Sequence, residues 1–325
     1  MISFIIPYYN LESSVEIEQL LLRAISSITL QIPDDEYEIL VIDDGSPTPP
    51  VTVTTAGNIY LHSIPHGFLG AARNYGIEHA KGDYVAFLDA DDYYFPGTLQ
   101  KHIDYLKSNP ETDMLMFSFL ECYDNKDMVT LYQTDLNITE PVLGKDYLMH
   151  NHPSGSACLY MIKRSLLIGN QIRFAQNTYI EDEDFTARAL FLANCVCVSD
   201  QYVYAYYHRH GSIVGTISNI RNKELNRAAL NSIKRLQDFA VKYSQEESKA
   251  LKKRISTISI DIFRRALRAA NHKELVRNTI NGLKSMGIYP IPIVPGMGFR
   301  FTIYSLVLRT FFGRMLLRLY ELDKK

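Results

Sequence analysis

Residues 82–92 read Gly-Asp-Tyr-Val-Ala-Phe-Leu-Asp-Ala-Asp-Asp, and this stretch decides the fold that the sequence predicts. Its apolar, strand-forming run ends in Asp89, Asp91 and Asp92, and the first two are spaced as D-x-D. A buried strand with acids at its carboxyl end is a rigid mount for a divalent cation, because Mg²⁺ and Mn²⁺ prefer oxygen ligands. The alternative is an ordinary acidic turn, since D-x-D alone is a weak signal.

Strands and helices alternate through the first 92 residues. Apolar runs predict strands over 3–6, 38–42, 58–62 and 83–88, and helices are predicted over 16–30 and 70–80. This order is typical of a parallel sheet covered by helices, which binds ligands beyond the carboxyl ends of its strands. Three of the predicted strands end in polar residues, at 9–10, 43–44 and 89–92. Together they predict a site along one edge of the sheet.

Four motifs give this pattern a specific resemblance. They read SFIIPYYN, EILVIDDGS, HGFLGAARNYGIEHAKGDYVAFLDADD and YIEDEDFTAR. In their order and spacing they resemble the family 2 glycosyltransferases over about the first 215 residues. The resemblance implies an α/β protein with the GT-A nucleotide-diphospho-sugar transferase fold, a Rossmann-like, mostly parallel sheet. We therefore expect a catalytic domain over 1–215 and a smaller, basic helical region over 216–325.

The family resemblance also implies an activity. We expect a metal-dependent, inverting glycosyltransferase of the hexosyltransferase class, with Mn²⁺ or Mg²⁺ as cofactor and a UDP-sugar as donor. The expected acceptor is a glycan or lipid-linked saccharide in bacterial cell-surface polysaccharide or lipopolysaccharide synthesis. The alternative is a non-catalytic nucleotide-sugar-binding subunit of a membrane-associated assembly complex. A nucleotidyltransferase is disfavoured, because Pro7-Tyr8-Tyr9-Asn10 lacks the expected glycine-rich phosphate loop.

Donor contacts are carried over from the family motifs. Pro7 and Tyr9 resemble the wall around the nucleobase, and Asp43 and Asp44 match the element that contacts the uracil or ribose. The segment His66-Gly67 departs from the family, which often has Asn-Gly there.

The diphosphate end of the donor has its own expected residues. Arg73 resembles the arginine near the base and diphosphate, Asp89 the acid on the ribose side and Asp91 the metal ligand. The segment 206–212 resembles one that closes over the diphosphate, with contacts from His208, Arg209 and Ser212. A solvated basic loop is the alternative for that segment.

Four consecutive acids at 181–184 offer a general base for the acceptor hydroxyl. The family pattern assigns this role to Asp182, with Glu181 supporting it or touching the acceptor. Asp184 is the alternative, because Glu183-Asp184 repeats the same pair two residues later. Acids in the first turn of a helix also stabilise its dipole, which is the structural explanation for some of them.

The net charge of −2 conceals a strong asymmetry. Residues 1–220 carry 12 Lys and Arg against 28 Asp and Glu, whereas residues 221–325 carry 22 against 8. Basic helices without an aromatic platform or binding motif do not indicate nucleic acid as a partner. We expect a cytoplasmic protein, because the four cysteines show no framework spacing and the amino terminus shows no signal peptide.

The end of the chain predicts one helix of about 18 residues with an apolar stripe. The stripe consists of Tyr304, Leu308, Phe311, Phe312, Met315 and Leu319. Three arginines make a membrane-spanning helix costly, so an in-plane helix on the anionic inner face of the cytoplasmic membrane is expected. The alternative is a helix that packs internally or forms a homodimer.

Overall fold

The computed structural model describes residues 1–51, 53, 57–123, 136–208 and 219–322. Arg209 and Ser212 lie outside the described residues. The chain forms two compact units. The first contains 1–144, 156–178 and 192–215, and the second contains 145–155, 179–191 and 216–325. The sequence-based division after residue 215 stays a prediction, and the compact units add two short internal segments to the helical part.

The first unit contains one eight-stranded mixed sheet. Its strands are β1 (Ile2–Tyr8), β2 (Tyr37–Asp43), β3 (Ile59–Ser63), β4 (Tyr84–Phe87), β5 (Tyr93–Tyr94), β6 (Met114–Tyr123), β7 (Tyr160–Lys163) and β8 (Val196–His208). Their order is β3-β2-β1-β4-β7-β6-β8-β5. The pairings of β1 with β2 and β4, of β2 with β3 and of β6 with β8 are parallel. The remaining pairings are antiparallel.

Helices of the first unit connect these strands. They are α1 (Val15–Thr29), α2 (Phe68–His79), α3 (Leu99–Ser108) and α5 (Arg164–Gly169), with a 3₁₀ turn at Ala157–Leu159. Every residue of β1, β2 and β4 is buried, as expected for parallel strands covered on both faces. The predicted α/β fold is therefore confirmed, and its predicted elements up to β4 end within two residues of those observed.

The order of the central strands creates one polar edge. β1 lies between β2 and β4 and is parallel to both, so the carboxyl ends of all three are neighbours. After β4 the chain turns through Asp89–Asp92 into β5, which pairs with β8 in the register Tyr93 to Ala205. This pairing brings the acidic turn next to the carboxyl end of β8.

The second unit is helical. It contains α4 (Gly144–His150), α6 (Asp182–Leu192), α7 (Asn219–Ala240), α8 (Lys249–Arg268), α9 (His272–Ser285), α10 (Gly298–Leu308) and α11 (Phe311–Leu322). α8 is its central helix and buries a long row of side chains, including Leu251, Ile258 and Phe263. Lys253 is buried too, and its ammonium group donates to the carbonyl oxygens of Leu148 and Asn151.

The expected single helix at the end of the chain is wrong, because two helices are present. Thr310 begins α11 by accepting a hydrogen bond from the amide of Gly313 at 2.9 Å, which is a helix amino-terminal cap. A Cβ at position 313 would lie 2.2 Å from the carbonyl oxygen of Val307, so only glycine permits this close turn. Within the described residues, no helix is long and apolar enough to cross a bilayer.

Candidate active site

The carboxyl end of β2 places two buried carboxylates at the edge of the sheet. Asp43 accepts hydrogen bonds from the Ser46 amide at 3.0 Å and the Ser63 hydroxyl at 3.1 Å. Asp44 accepts one from the Gly67 amide at 2.8 Å. Burial raises the pKa of Asp44, although the Gly67 amide opposes this shift. Both residues were predicted from sequence, and each has a fixed orientation.

His66 links the predicted base-binding residues. Its Nδ1 lies 2.9 Å from a carboxylate oxygen of Asp44, and its ring stacks on that of Tyr9 with centroids 4.6 Å apart. Gly45 has a φ of +77° and lies so close to the His66 backbone that a Cβ would approach it to 2.9 Å. The Tyr9 ring remains partly exposed, whereas Pro7 is buried within β1. Tyr9 and His66 therefore form a small aromatic platform beside a carboxylate.

Arg73 and Asp89 form an ion pair at the carboxyl end of β4. The Arg73 guanidinium donates to Asp89 at 2.8 Å and lies 5.4 Å from the centre of the Phe174 ring. Arg73 is buried, while the Asp89 side chain is about one-third exposed. A buried, planar donor thus holds an acid that still reaches solvent.

Asp91 is fixed through its backbone. The guanidinium of Arg23, on α1, donates to the Asp91 carbonyl oxygen at 2.6 Å. The same guanidinium lies 4.6 Å from the Tyr93 ring and 4.0 Å from the Tyr207 ring. Arg23 therefore ties the acidic turn to both α1 and β8, and the Asp91 side chain stays partly exposed.

Asp92 faces inward and anchors the acidic turn. It accepts hydrogen bonds from the Tyr204 hydroxyl at 2.5 Å and the Tyr207 amide at 2.7 Å. Burial, followed by the charges of Asp89 and Asp91, raises the pKa of Asp92 to about 9. Of the three acids in this turn, Asp92 is buried and has a structural role. The side chains of Asp89 and Asp91 are partly exposed.

His208 ends β8 next to this turn. Its ring stacks on Tyr123 with centroids 4.4 Å apart, and its Nε2 lies 3.6 Å from a carboxylate oxygen of Glu121. The preceding residue, Tyr207, is the one whose amide binds Asp92. The predicted roles of Arg209 and Ser212 fall outside the described residues.

The carboxylate oxygens of the acidic turn fit a divalent cation whose remaining ligands come from the substrate. The side chains of Asp89 and Asp91 are partly exposed and offer carboxylate oxygens on one short turn. In the part of the chain that the structure describes, no group of three His, Cys, Asp or Glu side chains could hold a metal ion. Mg²⁺ is usually bound by one or two protein carboxylates together with phosphate oxygens of the substrate. Asp91 is the residue that would hold such an ion, and Asp89, expected on the ribose side of the donor, is paired with Arg73.

The second unit carries the acidic turn that precedes α6. Glu181 is buried and Asp182 is partly exposed at the first position of the helix. The residue before them, Ile180, has a φ of +57°, a left-handed conformation that a β-branched residue rarely adopts. Backbone strain of this kind concentrates at functional sites.

The other two acids of this turn are paired with arginines. Glu183 binds Arg254 of α8 at 2.7 Å. Asp184 is fully buried and accepts hydrogen bonds from Arg188 and from Arg235 of α7, the shortest at 2.8 and 2.7 Å. The two Glu-Asp pairs of the sequence therefore lie in different environments. Asp182 is partly exposed, whereas Asp184 is buried and paired with two arginines.

The comparisons with known proteins agree with this geometry. A family model described as glycosyl transferase family 2 matches residues 3–169, slightly more than half of the chain. The chain belongs to glycosyl transferase family 2. The predicted family is confirmed.

Curated members of glycosyl transferase family 2 are similar to much of the chain. The uncharacterized glycosyltransferase YibD of Escherichia coli K12 is 27% identical over 69% of this chain and 66% of its own length. The uncharacterized glycosyltransferase EpsJ of Bacillus subtilis 168 is 27% identical over 66% of this chain and 62% of its own. The chain thus spans slightly less than two thirds of these relatives.

A solved structure shows the same fold. The crystal structure of S. aureus TarS in complex with UDP-GlcNAc superposes with a TM-score of 0.58 and 18% identity. The match covers 91% of this chain and 95% of that chain. At this identity the likeness supports the fold alone.

Several residues that contact the predicted site residues within each unit escaped the sequence prediction. They are Arg23, Asp92, Tyr204 and Tyr207 in the first unit and Arg235 and Arg254 in the second. Only Asp92 carried a sequence signal, as the third acid of the turn after β4. The others contact residues 51 or more positions away.

Proposed function

We propose that the chain is a metal-dependent, inverting glycosyltransferase that moves a sugar from a UDP-sugar to a glycan or lipid-linked saccharide. The observation that carries this proposal is the edge formed by β2, β1 and β4. There, the Tyr9–His66 platform lies beside Asp44, and Arg73 pairs with Asp89, two positions before Asp91 in the chain.

The aromatic platform suits a nucleobase, because every base offers a flat face for stacking. Asp43 and Asp44 offer carboxylate oxygens that can accept hydrogen bonds from a uracil N–H or ribose hydroxyls. A uridine nucleotide is favoured further by the S. aureus TarS structure, which is a complex with UDP-GlcNAc.

The diphosphate is proposed to bind at the acidic turn after β4. A divalent ion held by Asp91 would neutralise the charge that develops on the departing diphosphate. Arg73 holds Asp89 in a fixed position, and Arg23 fixes the backbone of Asp91. Pre-set ligands of this kind avoid reorganisation during the reaction.

The proposed transfer is a single displacement. The acceptor oxygen forms a bond to the anomeric carbon, and the bond between that carbon and the diphosphate oxygen breaks. Asp182 accepts the acceptor hydroxyl proton, and Glu181 supports it or contacts the acceptor. One displacement inverts the anomeric centre. Asp182 is preferred over Asp184 because Asp184 is buried and paired with two arginines.

The class of acceptor is proposed from the name of one relative. The poly(ribitol-phosphate) beta-glucosyltransferase of Bacillus spizizenii is 27% identical over 63% of this chain and 32% of its own length. Its name describes the transfer of a glucosyl group to poly(ribitol phosphate), so a polymeric glycan or its lipid-linked precursor is the acceptor class we favour here.

A panel of nucleotide sugars tests the proposal. Thermal unfolding and release of free nucleotide are measured with Mn²⁺ for the wild type, Asp44→Asn and a control, Asp35→Asn, at an exposed acid before β2. We expect one UDP-sugar to stabilise the wild type and the control and to be slowly hydrolysed. Stabilisation without turnover, even with saccharide acceptors, would favour a non-catalytic binding subunit. No stabilisation by any member would contradict the proposal.

A further inference from the structure

The last helix exposes an apolar face. Five side chains of α11 are between 44% and 78% exposed, namely Phe311, Phe312, Met315, Leu316 and Leu319. At about 100° per residue they share one arc of about 140°. The opposite side of the helix is buried at Gly313 and Leu317. α11 is thus docked on its own unit by one side, and its apolar side faces away.

The preceding helix has the same organisation. Phe299, Ile303 and Leu306 of α10 are between 39% and 82% exposed and lie within one arc of about 60°. Tyr304 and Leu308, on the other side, are buried. The sequence-based stripe had placed Tyr304 and Leu308 together with the exposed residues. The break between the two helices separates them and adds the α10 residues to the exposed surface.

Positive charge surrounds these apolar arcs. From residue 275 to residue 325 the sequence contains eight Lys and Arg against two acids, Glu321 and Asp323. The guanidinium of Arg314 donates to the Tyr289 hydroxyl at 3.1 Å and the Leu308 carbonyl oxygen at 2.8 Å. Arg318 donates to the Leu267 carbonyl oxygen. These acceptors are neutral, and no described carboxylate forms an ion pair with Arg300, Arg309, Arg314 or Arg318.

We propose that the exposed apolar faces of α10 and α11 bind in the plane of an anionic lipid bilayer. In-plane helices insert aromatic and leucine side chains at the level of the acyl chains and place arginines among the head groups. On α11, Arg314 and Arg318 lie on the arc next to Phe311, where such head groups would be. The 12 residues of α11 are also about 18 Å long, much shorter than a bilayer core of about 30 Å.

The charge pattern favours lipid over a second copy of the chain. In a symmetric dimer through these faces, the eight Lys and Arg of residues 275–325 in each copy would meet those of the other, with only Glu321 and Asp323 of that stretch to pair with them. Anionic head groups supply the missing negative charge. This inference does not depend on the proposed reaction, because vesicle binding is measured without substrate.

Vesicle co-sedimentation of the full chain tests the inference. Vesicles of phosphatidylcholine, alone or mixed with phosphatidylglycerol, are compared at low and high salt. Phe311→Ser with Phe312→Ser removes apolar contacts, and Arg300→Gln with Arg309→Gln removes charge. The control is Ile220→Ser with Val241→Ser, two side chains of 72% and 78% exposure away from α10 and α11. All six side chains are solvent-exposed, and circular dichroism verifies that each variant is folded.

We expect the wild type and the control to bind mixed vesicles equally and less tightly as salt rises. The Phe variant should lose at least about tenfold in affinity. The Arg variant should lose about fivefold per arginine on anionic vesicles only. Equal binding by the wild type and the Phe variant would overturn the proposal, as would no vesicle binding by the wild type. A wild-type dimer that the Phe variant converts to monomers, without vesicle binding, would assign this face to self-association.

Discussion

The guanidinium of Arg235 donates two hydrogen bonds, at 2.9 and 2.7 Å, to one carboxylate oxygen of Asp184. Asp184 is fully buried, and its second oxygen binds Arg188. A carboxylate held in this way is poorly placed to accept a proton from a substrate. Two residues earlier, Asp182 has the partial exposure that such a role requires.

Asp182→Asn and Asp184→Asn should therefore fail in different ways. We expect Asp182→Asn to lower the turnover number by about 10²–10⁴-fold, the usual contribution of a general base, without loss of donor binding. Asp184→Asn should reduce the free energy of unfolding by about 3 kcal/mol, because it leaves two arginines without their buried partner. Transfer assays and urea unfolding measure both effects. A stable but inactive Asp184→Asn would assign the base to Asp184.

Asp91→Asn tests the metal proposal. We expect a correctly folded variant whose activity is reduced at least about 100-fold. The reason is that an amide binds the metal ion more weakly than a carboxylate does, and this ion stabilises the departing diphosphate. Asp35→Asn, at an exposed acid outside the site, should match the wild type. Activity is measured against Mn²⁺ concentration and after chelation. Full wild-type activity in excess chelator would exclude a metal requirement.

Arg23→Met tests the support of the acidic turn. The variant loses a charged hydrogen bond to the Asp91 carbonyl oxygen and two contacts with aromatic rings. We expect about 1–3 kcal/mol lower stability and a higher Mn²⁺ concentration for half-maximal activity. Arg23→Lys should recover only part of the loss, because an ammonium lacks the planar donor and stacking surface. An unchanged Mn²⁺ dependence in both variants would show that Arg23 is not a positioning residue.

Lys253 should make stability depend on pH. Burial, and then the charge of Arg254, lower the pKa of Lys253 to about 8, whereas an unfolded lysine titrates near 10.4. Between these pH values the native state binds fewer protons than the unfolded state, so stability rises with pH. Relative to Lys253→Met, the wild-type free energy of unfolding should thus be constant below about pH 8 and increase toward pH 10. Urea unfolding across this range measures the difference, and parallel pH profiles would contradict the prediction.

The sequence predicted the first unit well where structure is determined locally. The strands up to β4 were visible as apolar runs, since each of β1, β2 and β4 is buried throughout. The acids that end β2 and β4 could be predicted as one edge, because parallel strands bring their carboxyl ends together. The turn between α10 and α11 was missed, since it depends on how Gly313 contacts Val307.

Contacts between distant residues could not be predicted. Arg23 has the sequence environment of an ordinary surface residue on α1, and its contact with Asp91 spans 68 positions. The same is true of Arg235 and Asp184, which are 51 positions apart. Such pairs depend on packing between elements, and single-sequence periodicity carries no information about them.

The second unit is built from segments that are far apart in the chain, and this affects the order in which the protein can fold. Residues 179–191 are synthesised before α7 and α8, and they belong to the same compact unit as those helices. During synthesis on the ribosome, Asp184 can therefore pair with Arg235, and Glu183 with Arg254, only after these arginines have emerged. Amino-terminal fragments that stop near residue 215 would keep these acids without their partners, so they are poor candidates for a minimal active enzyme.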